Sequence, residues 1–187
     1  MPSLRDQVTT TALDVVGRQG IHALSHARVD AAAGLPRGST SNYFRSRAAL
    51  LSGVVAALVA ADHAAWQRLH GTQVPSTAAL TEALAAYVQA ATTTDRVHTI
   101  ARYTLFMEAM VNDQIRPPLQ RARRTLEELA GTHLAELGAT DPAGAAAVLL
   151  PHLDGMIMYR LAFSGDARTP ADDPRPAIGA IVDALLR

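Results

Sequence analysis

The sequence predicts an all-α protein of about nine helices, because apolar residues recur at spacings of three and four in successive segments. No stretch shows the apolar–polar alternation of a half-buried strand, and turn-forming residues separate the helical segments. The chain has 187 residues, of which 49% are hydrophobic and 18% are charged. This composition is ordinary for a globular protein with a sizeable core.

The first predicted helix contains Val8 and ends at Gly20. Val8, Ala12 and Val16 fall at helical spacing, and glycine is a common residue just after a helix end. We expect this helix to support two short helices that follow it. Residues 1–46 are therefore predicted to form a three-helix head.

Those two short helices and a turn between them are predicted in residues 25–47, SHARVDAAAGLPRGSTSNYFRSR. Ser25 can cap the first helix by accepting a backbone N–H, and Gly34 can supply the positive φ that ends it. The second helix is predicted to begin near Pro36, whose fixed φ suits a first helical turn. Its early side chains are short and polar or cationic, which suits a recognition helix that reads base edges in a major groove.

This pattern resembles the N-terminal signature of the TetR family of one-component bacterial transcriptional regulators. The positions that match the signature are Gly34, Leu35, Gly38, Thr40, Tyr43, Phe44, Arg47, Leu50 and Leu51. Two positions depart from it: Ser41 stands where many members have a phosphate-binding tyrosine, and Asp30 where a small alanine lets the two helices approach. The resemblance implies a homodimeric regulator, expected to be a repressor, that binds a pseudo-palindromic operator in double-stranded DNA.

The resemblance and side-chain chemistry together indicate which residues bind DNA. Arginine can bind guanine O6 and N7 together, asparagine can pair with adenine, and tyrosine or arginine can bind phosphate. The positions that face bases or nearby backbone are Arg37, Gly38, Ser39, Ser41 and Asn42. The positions that contact phosphate are Tyr43 and Arg47, and the preceding helix adds Ser25 and Arg28. Alternatively, Arg37 is a solvated surface residue and the ring of Tyr43 belongs to the core. Ser25 would then be only a helix cap and Arg28 only an exposed charge.

The charge distribution agrees with a nucleic-acid partner for the head. The formal net charge of the chain is zero, but residues 1–50 contain six arginines and three aspartates, a net charge of +3, which leaves −3 for the remainder. Positive charge on the segment that carries the motif would neutralise phosphates and give salt-dependent affinity.

A long helix from Arg47 to about His70 is predicted to join the head to the body, and residues 47–187 are assigned as a helical ligand-binding and dimerisation domain. Loops are expected at 71–77 and 164–176. The apolar patterns predict the remaining helices at about 77–92, 95–111, 117–137, 142–164 and 176–186.

A pocket for a small apolar or aromatic effector is predicted in the body. Tyr103, Phe106, Met107 and Met110 share one helix face, and a deformable Met and aromatic lining suits such a molecule. The resemblance implies that the ligand lies between body helices. The candidate ligand-binding residues are Trp66, Tyr87, Tyr103, Phe106, Met107, Met110, His152, Met156 and Tyr159. The alternative is that this stripe is plain core.

The apolar patterns of the last two helices predict a homodimer. Residues 143–163 are apolar or small over most of the helix circumference, and an apolar stripe on the last helix comprises Ile178, Ile181, Val182 and Leu185. Two such helices from each subunit could form a four-helix interface that presents two reading heads to DNA. The alternative is that these helices close the core of the monomer.

Other classes of protein are less compatible with the sequence. The absence of cysteine excludes disulfides, cysteine-ligated zinc and iron–sulfur clusters. The histidines are scattered and no phosphate loop or activated nucleophile is recognisable, so no catalysis, metal or cofactor is expected. Without an apolar run of about 18 residues or a secretory signal, we expect a cytoplasmic protein with no membrane partner. The main alternative is a helical small-ligand-binding or interaction protein without sequence-specific DNA binding.

Overall fold

A computed structural model describes residues 3–70, 74–163 and 173–187, with the side chains of 65–70 excepted. Within these ranges the chain forms helices and turns and contains no strand, so the predicted all-α class is confirmed. The helices are α1 (Leu4–Gln19), a 3-10 helix (Ile21–Ala23), α2 (His26–Ala32), α3 (Ser39–Tyr43), α4 (Arg47–His70), α5 (Thr77–Thr92), α6 (Arg96–Ala109), α7 (Arg116–Glu136), α8 (Pro142–Phe163) and α9 (Arg175–Leu185).

The predicted bounds of α4 to α9 agree with the structure to within two residues at each end. Side-chain caps explain where two of the helices begin. Ser3 and Asp6 form a reciprocal capping box at the start of α1, and Ser76 caps α5 by accepting an N–H of its first turn. The predicted loops at 71–77 and 164–176 lie partly outside the described residues.

The first of two compact units comprises Met1–Ala65 and Val97–Ala122. Its core joins Val8 of α1, Leu50 of α4 and Leu105 of α6, all of which are fully buried. Burying each apolar side chain of this size contributes about 1.5–3 kcal/mol. The head therefore shares one hydrophobic core with α6, which is remote from it in sequence.

Part of the apolar character of α4 serves this core. By length and composition alone, the stretch Arg47–Ala64 could cross a membrane, with a mean hydropathy of 1.3, and 28% of it is buried within the protein. Leu51, Val55 and Leu58 are among its side chains in the core of the first unit. An apolar stripe that faces a core is the usual property of a helix in a globular protein.

Polar side chains join α4 to α6 beside that core. Asp62 accepts hydrogen bonds from Arg102 Nε at 3.0 Å and Nη2 at 2.6 Å, and its carboxylate lies 3.0 Å from His98 Nε2. Burial opposes ionisation of this carboxyl, but the hydrogen bonds from His98 and Arg102 outweigh burial and lower the pKa of Asp62 below its ordinary value.

The second unit comprises Trp66–Arg96 and Arg123–Arg187. α9 packs on α5 within it, and Ile178 and Val182 are fully buried. The other members of the predicted α9 stripe are half-buried: Ile181 and Leu185. The stripe therefore serves the core of the subunit itself, which is the alternative that the sequence left open for this helix.

Two features characterise α8 in the second unit. The helix continues through Pro151, and the neighbouring His152 places its ring Nδ1 2.7 Å from the carbonyl oxygen of Val148. Asp154 accepts a hydrogen bond from Arg123 of α7 at 2.7 Å. This ion pair joins α7 to α8.

Candidate nucleic-acid interface

The turn after α2 forms as the sequence predicts. Ser25 caps α2 by accepting the N–H of Arg28 at 3.4 Å, and Gly34 has a φ of +66°. Glycine adopts this conformation without the steric cost that a Cβ brings. The N–H of Leu35 then donates to the carbonyl oxygen of Asp30 at 2.9 Å, which closes the helix end.

The recognition helix α3 begins at Ser39 and not at Pro36, so that predicted boundary was wrong. Pro36 opens a turn, and the carbonyl oxygen of Pro36 accepts the N–H of Ser39 at 3.1 Å and the hydroxyl of Ser39 at 2.6 Å. Gly38, with a φ of +94°, is the N-cap of α3. Because a left-handed residue does not continue a right-handed helix, regular helix starts only after Gly38.

Asp30 lies in the contact between α2 and α3 and is only 3% exposed. Its Oδ2 accepts the N–H of Gly38 at 2.7 Å, and its Oδ1 accepts the N–H of Thr40 at 2.7 Å and the Thr40 hydroxyl at 2.6 Å. Burial opposes ionisation of the carboxyl, but the hydrogen bonds from Thr40 and Gly38 outweigh burial and lower the pKa of Asp30.

Sequence reasoning missed this role of Asp30. The position was noted only as a departure from the family pattern, although a carboxylate directly after the buried Val29 is a signal that it needs partners. Those partners are eight and ten residues further along the chain, on the other side of the turn. Only the folded head brings them together.

The side chains predicted to face bases lie at the surface of the turn and of α3. Those that are exposed or half-buried are Arg37, Gly38, Ser39, Ser41 and Asn42. The opposite side of α3 is occupied by Thr40, which is fully buried, and is followed by the buried Phe44. Tyr43 is 41% exposed, so its ring is only partly core. The polar surface of α3 is thus available to bind another molecule.

The predicted phosphate-binding arginines have partners inside the head. Arg47 donates from Nε to the carbonyl oxygen of Leu24 at 3.2 Å and from Nη2 to that of Ile21 at 2.8 Å. Arg28 donates from Nη1 to Oε1 of Gln19 at 2.7 Å. Both arginines are exposed, so these bonds orient cations at the surface of the head.

The candidate ligand-binding residues of α6 differ in exposure. Tyr103 is 8% exposed and packs edge-to-face against Phe106, with ring centroids 5.8 Å apart. Met107 and Met110 are 54% and 65% exposed. The stripe therefore runs from the core of the first unit to its surface.

The remaining candidates belong to the second unit. Tyr87 and Met156 are half-buried, and His152 and Tyr159 are exposed, whereas the side chain of Trp66 lies outside the described residues. A surface hollow of about 410 Å³ in this unit is lined by Arg124, Glu127, Glu128, Gly131, Pro142 and Ala143. None of the candidate ligand-binding residues lines this hollow.

α8 has an apolar face at the surface of the second unit. Val148, Met158, Tyr159 and Phe163 are 43–52% exposed, and the last two rings lie 4.9 Å apart. α9 adds exposed small residues, which are Ala177, Ala180 and Ala184. Large apolar side chains exposed on one helix favour a site where another molecule binds.

Comparisons with known proteins agree with this architecture. A family model described as the tetracyclin repressor-like C-terminal domain matches residues 75–187, whereas no curated protein matches the chain. A transcriptional regulator from Rhodococcus sp. is 16% identical with a TM-score of 0.79, over 98% of this chain and 96% of that one. A TetR-family member from Streptomyces coelicolor is 24% identical with a TM-score of 0.73, over 100% and 99%.

The multidrug binding protein EbrR, in complex with proflavin, is 26% identical with a TM-score of 0.65, and the match covers 97% of this chain and 98% of that one. The family model covers more than half of the chain, and the structural matches extend through the helix-turn-helix head. The chain belongs to the TetR family of transcriptional regulators.

Proposed function

We propose that this protein is a ligand-responsive repressor that binds a pseudo-palindromic operator as a homodimer. The observation that carries the proposal is the polar, exposed surface of α3 opposite the fully buried Thr40. A short helix with such a surface has the properties of a recognition helix. The protein acts by binding and not by catalysis, and it acts in the cytoplasm.

Arg37 is the residue to which we assign the main base contact. It is exposed in the turn before α3, and its guanidinium can bind guanine O6 and N7 together. The net charge of +3 on residues 1–50 supports phosphate binding around this contact. Ser39, Ser41 and Asn42 extend the same surface along α3.

The apolar face of α8 supports dimerisation through the last two helices. Residues such as Tyr159 and Phe163 would lose their exposed area in an interface of about 800 Å² per subunit, the usual size for a stable complex. The exposed alanines of α9 would allow close helix approach. A two-fold dimer then presents two heads to half-sites about one turn of DNA apart, or a multiple of it.

The effector is proposed to be an apolar or planar aromatic molecule. The supporting comparison is EbrR, whose structures hold proflavin, ethidium and malachite green. Tyr103, Phe106 and Met156 offer side chains of the type that such molecules contact. The effector weakens DNA binding only to the extent that it binds the non-binding state of the dimer more tightly than the DNA-binding state. Proflavin and operator must therefore lower the affinity of the protein for each other by the same factor. Equal operator affinity with and without saturating proflavin would exclude it as an effector.

The DNA-binding proposal is tested by selecting bound duplexes from a random pool with the purified protein at physiological salt. We expect an inverted repeat that binds about a thousandfold or more tightly than scrambled DNA. Arg37→Ala should cost about 1–3 kcal/mol and relax the preference at one base position. Arg18→Ala is the control, because Arg18 lies on α1 in an exposed pair with Asp14 and its loss changes the charge equally.

Two results would contradict the proposal. Arg37→Ala could leave the base preference unchanged, which would remove this residue from the interface. A folded, dimeric protein that enriches no sequence would instead favour a helical ligand-binding or interaction protein that does not read DNA.

A further inference from the structure

A single residue contacts the turn between α2 and α3 at both of its ends. The backbone carbonyl of Asp30 accepts the N–H of Leu35, where the turn begins. Its buried carboxylate accepts the N–H of Gly38 and the N–H and hydroxyl of Thr40, where the turn ends. The backbone contact is independent of the side chain, whereas the other three contacts depend on the carboxylate.

The helix α3 requires an acceptor of this kind. Ser39–Tyr43 has five residues, too few for an isolated helix to be stable in water. Its N-cap is Gly38, and glycine has no side chain that could accept the N–H of Thr40. Asp30 supplies that acceptor from across the turn, and its negative charge lies at the positive end of the helix dipole. The placement of α3 therefore depends on this carboxylate.

The residues beside the two anchored amides are those assigned to base contacts. Arg37 directly precedes Gly38, and Ser39 lies between Gly38 and Thr40. A two-point contact with guanine requires the guanidinium of Arg37 to point in one particular direction. Contacts to phosphate position the protein on DNA without reading its sequence. Loss of the anchors should consequently reduce sequence discrimination more than non-specific binding.

We propose that Asp30 is a positioning residue for DNA reading, which holds the start of α3 and thereby directs Arg37 and Ser39 toward the bases. The inference rests on the proposed DNA-binding function. Asp30 is buried, so we expect it not to contact DNA itself. As a plain negative charge near the DNA-binding face it would weaken the attraction to phosphates, so an electrostatic role and a positioning role predict opposite effects of removing the charge.

Asp30→Asn separates the two roles with almost no change in size. The amide oxygen can replace Oδ1 and keep both bonds from Thr40, but the amide nitrogen in place of Oδ2 cannot accept the N–H of Gly38. In the free protein we expect amide hydrogen exchange to accelerate about tenfold or more at Gly38 and to stay slow at Thr40. The amide of Leu35, bonded to the backbone of residue 30, is the internal control for folding.

The same variant should bind the selected operator about tenfold or more weakly, with affinity for scrambled DNA unchanged within about twofold. Two substitutions of Thr40 form a matched pair for this effect. Thr40→Ser keeps the hydroxyl donor and should discriminate as the wild type does. Thr40→Val keeps the shape but loses the bond to Asp30 Oδ1, and it should lose discrimination in the same direction as Asp30→Asn.

Two outcomes would overturn this inference and leave the proposed DNA-binding function intact. Asp30→Asn could discriminate as well as the wild type, or it could bind both DNAs more tightly, while Arg37→Ala still weakens operator binding. If the wild-type protein itself prefers no sequence, the proposed function fails and the positioning role fails with it. The Arg37→Ala measurement therefore distinguishes the two failures.

Discussion

Polar side chains hold the backbone of the head at several points. The carboxylate of Asp30 binds the start of α3, and His26 Nε2 lies 2.7 Å from the carbonyl oxygen of Phe44 at its end. Arg47 binds two carbonyl oxygens near the 3-10 helix. A short helix has little stability of its own, so such bonds determine where it lies.

We predict that Arg47→Ala lowers the free energy of unfolding of the DNA-free protein by about 1 kcal/mol, because two carbonyl oxygens lose a charged donor. The measurement is urea unfolding followed by circular dichroism. Arg45→Ala removes a similarly exposed arginine two residues away and should change stability by less than about 0.5 kcal/mol. Equal stability of the two variants would show that these two hydrogen bonds of Arg47 do not stabilise the fold.

Contacts between helices that are distant in sequence define the first unit. α1 and α6 approach closely at Gly17, where an added Cβ would overlap the carbonyl oxygen of Val97 and lie 2.8 Å from its Cγ1. α4 and α6 are joined by the bonds between Asp62, Arg102 and His98. These contacts place α6 against α1 and α4.

We predict that Gly17→Ala destabilises the protein, although alanine is the better helix former by about 1 kcal/mol. The overlap with backbone of Val97 cannot be relieved by a rotamer change, and overpacking of this kind costs about 1–3 kcal/mol. Gly179→Ala is the control, because a Cβ there would make ordinary contact with Thr81 at 3.7 Å, and it should raise the melting temperature. A raised melting temperature for both variants would show that α1 and α6 are not in close contact.

We predict that Asp62→Asn removes stability that depends on pH. The pKa of Asp62 is lowered in the folded protein, so its contribution is complete above the ordinary carboxyl value of about 3.9 and is lost as the pH falls through the lower folded value. The difference in free energy of unfolding between wild type and variant should be fully present at about pH 5 and should narrow below about pH 4. Urea titrations across this range measure it. A difference that stays the same at every pH would contradict the lowered pKa.

At the scale of the whole molecule, the large apolar side chains of α8 that are exposed at the surface of the second unit are the observation behind the proposed dimer. Tyr159 and Phe163 form a tilted ring pair at this surface, next to Met158. Covering them in a second subunit would gain about 25 cal/mol for each Å² removed from water. The same association would bring two heads to one operator.

We predict that Phe163→Asp converts a dimer into a monomer, because a buried, unpaired carboxylate in the interface is strongly unfavourable. Sedimentation velocity over a range of concentrations measures the change. Val111→Asp is the control, since Val111 is 83% exposed on a segment outside α8. This variant should remain dimeric. If both variants sediment as the wild type does, the dimer does not use the α8 face.

Much of the fold is predictable from sequence because it depends on neighbours along the chain. Helical spacing of apolar residues located α4 to α9, and the residue chemistry of Ser25 and Gly34 located the end points of α2. The start of α3 was missed because it depends on the φ of Gly38 and on a carboxylate across the turn. The exposure of the residues predicted to face bases follows from the helix-turn-helix pattern, but the intramolecular bonds of Arg28 and Arg47 do not.

The sequence by itself determined the helices, the helix-turn-helix pattern and the family, since caps, glycine conformations and apolar spacing act over a few residues. The tertiary structure decided which residues meet: Asp30 with Gly38 and Thr40, and Gly17 with Val97. It also decided that the α9 stripe faces α5 within the subunit. Hydrogen bonds and close packing between segments depend on distances in space, which separation along the chain does not specify.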